Sequence, residues 1–357
     1  MKRLLFSLVP LLGLLLLAIG GEFVLRLIPL SKERAQFLFF TEYKISRWHY
    51  LNGLLNRLLI DEVLKTKPNH SHTEHPEPRR PPFDRVPHPY TINTNEYGFR
   101  DASFKPKSLK KRIIVVGDSV AFGKGVLHSE SFPELLEKNS EAEVYNLGLQ
   151  GCTAECQWRL LNRYANELKP DLLIIQASGN DLDQSLWKAT YAKEIPGLGL
   201  SALESIQKSH LLMEILRWRG SDQIAEQFNA ARTATDRRYG PFVDKILSKS
   251  AELNLPTIAL NLPFAYGWNY GEHVTSRCNE SPLCTSVDIV FPQDSSPYQN
   301  PLDFVGLTAQ EMNITEQELA PVFPFRTYFY DVCHLSPKGH QYTSENILQQ
   351  LKERALP

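Results

Sequence analysis

Two short stretches of this chain carry residue types that could do chemistry together. GDSVAFGKGV, residues 117–126, follows the apolar run RIIVV and places Ser119 in a glycine-rich turn. DVCHLSPKGH, near the C-terminus, sets Asp331 and His334 three residues apart. A serine hydroxyl is a poor nucleophile until a base takes its proton. A histidine can be that base, and a carboxylate on its other ring nitrogen fixes the tautomer and stabilises the imidazolium that forms. Ser119, His334 and Asp331 are therefore candidates for nucleophile, base and orienting acid. A phosphate loop is excluded by spacing, since a Walker motif needs four residues between its first Gly and the Gly-Lys pair, then Ser or Thr. Here five residues separate Gly117 from Gly123-Lys124, and Gly125 follows. The third glycine of a dinucleotide fingerprint is missing. Ala121 stands where a G-x-S-x-G elbow needs its last glycine.

Such groups meet only if the fold brings distant loops together. RIIVV (112–116), AEVYNL (142–147), DLLIIQA (171–177) and PTIALNL (256–262) are short apolar runs bounded by turn residues. Residues 152–169 and 336–355 are periodic and long enough for helices. Apolar strands alternating with helices predict a parallel sheet covered on both faces. Ligands in such sheets sit at the carboxyl ends of the strands. GDSVAFGKGV, NLGLQGCT (146–153) and SGNDLD (178–183) all fall at such ends. Acyl transfer also needs hydrogen-bond donors aimed at the developing oxyanion. Gly151, where a ligand can approach the backbone, and the Asn180 side-chain amide are the candidates, with Gly148 a rival for the glycine.

GDS after a strand, N-x-G-x-x-G before a helix, G-N-D after a strand and D-x-x-H before the last helix occur in that order. This set resembles the SGNH (GDSL-type) hydrolases, over about residues 91–183 and 256–350. The resemblance implies an α/β fold, a flavodoxin-like three-layer α/β/α sandwich with a mostly parallel sheet. It implies Ser119 as nucleophile and first oxyanion donor through its own N–H. Gly151 N–H and the Asn180 amide would be the second and third donors, His334 the base and Asp331 its partner. No cofactor or metal is implied. NEYGFRD (95–101) also looks like the lead-in segment of membrane-anchored members. The implied activity is a serine esterase acting on O-acyl esters of glycans or lipids. Alternatives are an O-acyltransferase of envelope polysaccharide using the same triad, and a non-catalytic glycan-binding module.

Thirty-nine Lys and Arg against 40 Asp and Glu give no electrostatic case for a nucleic-acid partner. At the N-terminus, Lys2 and Arg3 precede an uncharged run from Leu4 to Gly21, and apolar residues continue through Ile28. About 18 such residues suffice for a membrane-spanning helix. Residues 1–31 are therefore expected to be a signal anchor, with the bulk of the protein on the extracytoplasmic side. Cleavage near Ala18-Ile19-Gly20 and secretion is the alternative. Residues 32–67 suggest a juxtamembrane amphipathic helix. Residues 68–90, with seven Pro and four of the ten His, read as an extended linker rather than a metal site. The hydrolase domain follows over 91–357, with a large insertion at about 184–330. Trp187, Trp218, Tyr266, Trp268 and Tyr270 in that insertion could stack sugars or simply pack.

Five Cys are too few for a disulfide scaffold. Cys278 and Cys284 are either bridged or free thiols. Cys152 and Cys156, one helical turn apart, suit small core residues better than a bridge. Cys333 reads as a buried packing residue, and His128 and His340 as surface or packing residues. Asp118 and Asp181 are expected to tie the site loops together by hydrogen bonds.

Overall fold

The computed structural model describes residues 2–27, 67–74, 89–182, 210–264, 269–292, 303–304, 307–308, 325–331 and 333–354. The chain divides into two compact units. The smaller comprises Met1–Arg57, Lys193–Glu226 and Ser295–Phe323, and the larger comprises Leu58–Ala192, Gln227–Asp294 and Pro324–Pro357.

In the smaller unit, helix α1 runs over Lys2–Leu27 with Pro10 inside it. Among the described residues no helix is long and apolar enough to cross a membrane. The Leu211 N–H donates to the Glu22 carboxylate at 2.8 Å. The juxtamembrane segment lies outside the described residues.

The larger unit begins with an antiparallel pair, β1 (Ser71–Glu74) and β2 (Tyr90–Asn93). The ends of the Pro-rich stretch are thus strands rather than free linker. Pro is absent from both strand segments, so their backbone donors stay available, and Tyr90 and Ile92 bury with Phe122. Residues 75–88 lie outside the described residues.

The core sheet consists of β3 (Arg112–Val116), β4 (Glu143–Asn146), β5 (Leu172–Gln176), β6 (Thr257–Asn261) and β7 (Cys284–Asp288). Their order is β4-β3-β5-β6-β7. All four pairings are parallel. Numbered within the sheet, this is the 2-1-3-4-5 order of flavodoxin-like folds, whose ligands sit where the order reverses, beside the first and third strands. Every residue of β3, β5 and β6 is buried, as a sheet covered on both faces requires. Each fully buried Val, Ile or Leu there contributes about 1.5–3 kcal/mol.

The helices of the larger unit are α2 (Ser119–Phe122), α3 (Phe132–Asn139), α4 (Ala154–Leu168), the part of α5 (His210–Glu252) from Gln227 on, α6 (Glu272–Asn279) and α7 (Pro337–Glu353). The boundary between the two units falls within α5. Helix α3 packs on α7, and α6 on β6 and β7. The residues read as insertion thus supply two sheet strands and two helices of the larger unit. Strand β7 escaped the sequence because CTSVD is an edge strand with one fully buried residue, Val287.

Cys278 and Cys284 are bridged, pinning the end of α6 to the start of β7. Cys152 and Cys156 are bridged too, which corrects their reading as core residues. A spacing of four residues disfavours a bridge only when both cysteines lie within one helix. Helix α4 starts at Ala154, so Cys152 lies in the loop before it and is free to fold back onto Cys156.

One buried ion pair anchors the amino end of the sheet. Arg112, 1% exposed, donates to Glu143 at 2.6 Å and to Leu168 O at 2.7 Å. It also donates to Lys105 O and Pro106 O at 3.1 Å each. Removing the cation strands all of these acceptors. Arg112→Met is expected to cost about 3 kcal/mol, read as a lower urea midpoint with an unchanged slope.

Candidate active site

The site is built where β3 and β5 end. Gly117 must lack a side chain, because a Cβ there would lie 2.5 Å from Gln176 Oε1 and 2.6 Å from Ala121. Asp118 follows and caps α2, its Oδ1 accepting from Val120 N–H at 2.9 Å. Ser119, half-buried, is thereby the first residue of α2. Its N–H belongs to the first turn, which has no acceptor within the helix. The helix stops after four residues at Gly123, whose φ of 76° suits glycine as a left-handed cap.

Ser119 Oγ lies 2.8 Å from His334 Nε2, across 215 residues of sequence. His334 Nδ1 lies 2.6 Å from Asp331 Oδ2. Asp331 Oδ1 accepts the backbone N–H of His334 at 2.7 Å and of Cys333 at 2.9 Å. The D-x-x-H spacing works because the turn folds its own amides onto the carboxylate. Burial alone would raise the Asp331 carboxyl, but the charge of His334 and these hydrogen bonds outweigh it and hold it well below the usual carboxylate range. Ionised, it holds the proton on Nδ1 and leaves Nε2 to accept from Ser119.

Asp118 also joins the loops. Its Oδ2 accepts from Ser178 Oγ at 3.0 Å, Gly179 N–H at 3.1 Å and the Asn180 amide at 3.1 Å. Ser178 Oγ reaches Cys152 O as well, at 2.7 Å, drawing in the loop that carries Gly151. Burial pushes the Asp118 carboxyl up, while Val120 N–H, the charge of His334 and the Ser178 hydroxyl pull it back. Asp181 ties a second set of elements. It accepts from Ala154 N–H at 3.0 Å, at the start of α4, and lies 3.0 Å from His273 Nε2 on α6. Burial raises its carboxyl, opposed chiefly by His273.

The Asn180 amide nitrogen is 3.1 Å from Asp118 Oδ2 and 3.2 Å from Ser178 Oγ, which are 3.0 Å apart. These nearly equal distances make the two acceptors subtend about 60° at the nitrogen, half the ~120° between its N–H bonds. The two N–H bonds therefore cannot both be taken up by this pair of acceptors. Gly151 is half-exposed, with a φ of 74°. Gly148 is different: its N–H donates to Asn146 Oδ1 at 2.9 Å, and a Cβ would lie 2.6 Å from Phe122 N. Close packing accounts for that glycine.

The residues that brace this geometry were not legible as such. Arg100, within NEYGFRD, is buried and donates to Val126 O at 2.8 Å, Phe122 O at 3.3 Å and Gly123 O. It fastens the downstream side of the serine turn. Gln176, polar at the end of an apolar strand, accepts Asp118 N–H at 2.9 Å. Tyr330 stacks on His334, ring centroids 5.4 Å apart. Gly125 makes room for it, since a Cβ there would fall 2.0 Å from the Tyr330 ring.

Cys333 is half-buried, with Sγ 3.6 Å from His334 Nδ1. It therefore faces its sequence neighbour, contrary to the packing-residue reading. His340 is a packing residue, fully buried and accepting Phe132 N–H at 3.2 Å, with burial lowering it to about 3. His128 is half-buried beside Glu134. Of the insertion aromatics, Tyr270 is buried against Phe264. The side chains of the other four lie outside the described residues.

No family model and no curated protein matches the chain. Among solved structures it is similar to the acetyl xylan esterase AlAXEase, at 11% identity and TM-score 0.39, covering 67% of this chain and 99% of that one. It is similar to a GDSL-like lipase from Bacteroides thetaiotaomicron, at 12% identity and TM-score 0.37, covering 70% and 91%. A two-domain esterase active on acetylated mannans matches at 14% identity and TM-score 0.39, covering 68% of this chain and half of that one. With TM-scores below 0.4 these superpositions are loose, and none carries chemistry across.

Asp118→Asn sets an amide N–H₂ against several hydrogen-bond donors. The expected result is a folded protein with loosened loops and kcat/KM reduced about 10²-fold, the scale of an ångström-sized misplacement. Circular dichroism beside ester turnover checks it.

Proposed function

We propose that this protein is a serine ester hydrolase working through an acyl-enzyme. The observation that carries the reading is the continuous relay from Ser119 Oγ to His334 Nε2 at 2.8 Å and from His334 Nδ1 to Asp331 at 2.6 Å. Nε2 takes the serine proton as Oγ attacks the ester carbonyl. The oxygen that becomes negative is met by Ser119 N–H, Gly151 N–H and the Asn180 side-chain amide. His334 then gives its proton to the departing alkoxide. A water then attacks the acyl carbon, giving a proton to the same nitrogen, and His334 returns that proton to Ser119 Oγ as the Oγ–acyl bond breaks and the acid leaves. Dipoles already aimed at the oxyanion need no reorganisation during reaction, which makes this the largest single contribution in such sites.

As substrates we propose O-acyl esters of glycans or lipids, met outside the cytoplasm. Two observations support that location. Lys2 and Arg3 precede eighteen uncharged residues that fall within α1. The bridges Cys152–Cys156 and Cys278–Cys284 suit an oxidising compartment. Residues 1–31 act as a single-pass anchor in this reading. A sugar hydroxyl in place of the deacylating water would make the same site an O-acyltransferase, so products should be analysed with and without an acceptor.

The test uses the full chain in detergent beside its Ser119→Ala variant. Fluorophosphonate labelling and nitrophenol release from short-chain esters are expected in the parent and absent in the variant. Two folded but inert proteins would overturn the proposal. Asn180→Ala is expected to lower kcat by roughly 10² to 10³ with KM little changed, the penalty for one oxyanion donor. An unaltered kcat would remove Asn180 from that role.

A further inference from the structure

We infer that the triad carries an inhibitory site for a soft divalent cation such as Zn²⁺, made by Asp331, Cys333 and His334. The inference rests on the esterase reading for its effect on turnover, though not for binding itself. Asp331, Cys333 and His334 each offer one ligand atom, and these atoms all lie within 4.8 Å of one another. Zinc binds sulfur at about 2.3 Å and nitrogen or carboxylate oxygen at about 2.0–2.2 Å, in a tetrahedron. Those bond lengths place sulfur and nitrogen about 3.5 Å apart, and Sγ and Nδ1 stand at 3.6 Å. The same tetrahedron sets nitrogen and oxygen about 3.3 Å apart, so the Nδ1 to Oδ2 distance of 2.6 Å must open by about 0.7 Å. The Asp331 carboxylate has to turn by that much while its Oδ1 accepts two backbone amides.

The donor set selects the ion. One thiolate, one imidazole nitrogen and one carboxylate oxygen suit zinc and its softer neighbours, and disfavour magnesium and calcium. Asp331 and Cys333 are half-buried, so solvent reaches the site. Tyr330 covers a face of the imidazole and leaves the Nδ1 edge to Cys333. Three protein ligands leave a fourth position for water.

Binding here opposes catalysis at a defined atom. The cation takes the Nδ1 lone pair, so the ring proton leaves Nδ1 and reappears on Nε2. The Cys333 thiol releases its proton to solvent. Thiolate and carboxylate together neutralise the two charges of the ion. With hydrogen on Nε2, His334 donates toward Ser119 and can no longer take its proton. Removing the cation reverses each step, so the block is reversible by chelation.

The test measures the full chain in detergent after chelator treatment, beside Cys333→Ser and Cys333→Ala. Inhibition is read as the ratio of ester turnover with and without added Zn²⁺, so any change in basal rate cancels. Micromolar zinc is expected to silence the parent, and EDTA to restore it. Both Cys333 variants are expected to need more than about tenfold more zinc, the loss typical of disturbing even an outer partner of a ligand. Equal zinc sensitivity in all three would overturn the site and move the inhibition elsewhere, for instance to His70 and His72. A second readout is independent of turnover. Co²⁺ added to Ser119→Ala should give thiolate-to-cobalt charge-transfer absorption that vanishes in Ser119→Ala/Cys333→Ser. No such band would also overturn the inference. A cobalt band in a protein whose parent hydrolyses no ester would uphold the metal site while the esterase reading failed.

Discussion

A single buried carboxylate holds the site together. Asp118 caps the helix that begins with Ser119, and it gathers Ser178, Gly179 and Asn180 from the end of the neighbouring strand. Through the Ser178 hydroxyl the constraint extends to Cys152 O and the loop of Gly151. Three loops that diverge from the sheet thus become one unit. Taking a charge out of water is costly, and the surrounding donors offset that cost. The same low dielectric that makes the carboxylate expensive makes each of those bonds stiff. A site needing its donors placed to a fraction of an ångström benefits from that stiffness.

The histidine side is held differently. The loop carrying Asp331 and His334 is positioned by packing, with Tyr330 lying on the imidazole and over Gly125. Arg100 secures the carbonyls that end the serine turn. The two halves meet at the Ser119–His334 hydrogen bond and where Tyr330 packs over Gly125. Cys333 sits on the outer side of the same ring. The nitrogen that Asp331 orients is therefore also the one a metal ion can reach.

The parallel sheet and the order of the chemical groups along the chain were readable without coordinates. RIIVV, DLLIIQA and PTIALNL are runs that only burial on two faces explains, and β3, β5 and β6 lie within them. The less regular elements were hidden. Strand β7 carries no apolar run, because an edge strand needs little burial. The β1–β2 pair was masked by the prolines between its strands. The Cys152–Cys156 bridge depended on where α4 starts, and helix boundaries are the least certain thing a sequence conveys.

The sequence by itself determined which groups could react: Ser119 after a strand, His334 with Asp331 three residues before it, and Gly151 and Asn180 at other strand ends. Residue type and local spacing decide that much, because pattern reports burial and turn chemistry. Tertiary structure alone decided that Ser119 Oγ and His334 Nε2 come within 2.8 Å across 215 residues. It also decided that Gly148 packs against Phe122 while Gly151 is half-exposed, and that Ser178, Gln176, Arg100 and Tyr330 brace the site. Those roles arise between segments far apart in the chain, and no local pattern encodes a distance that only the assembled sheet creates.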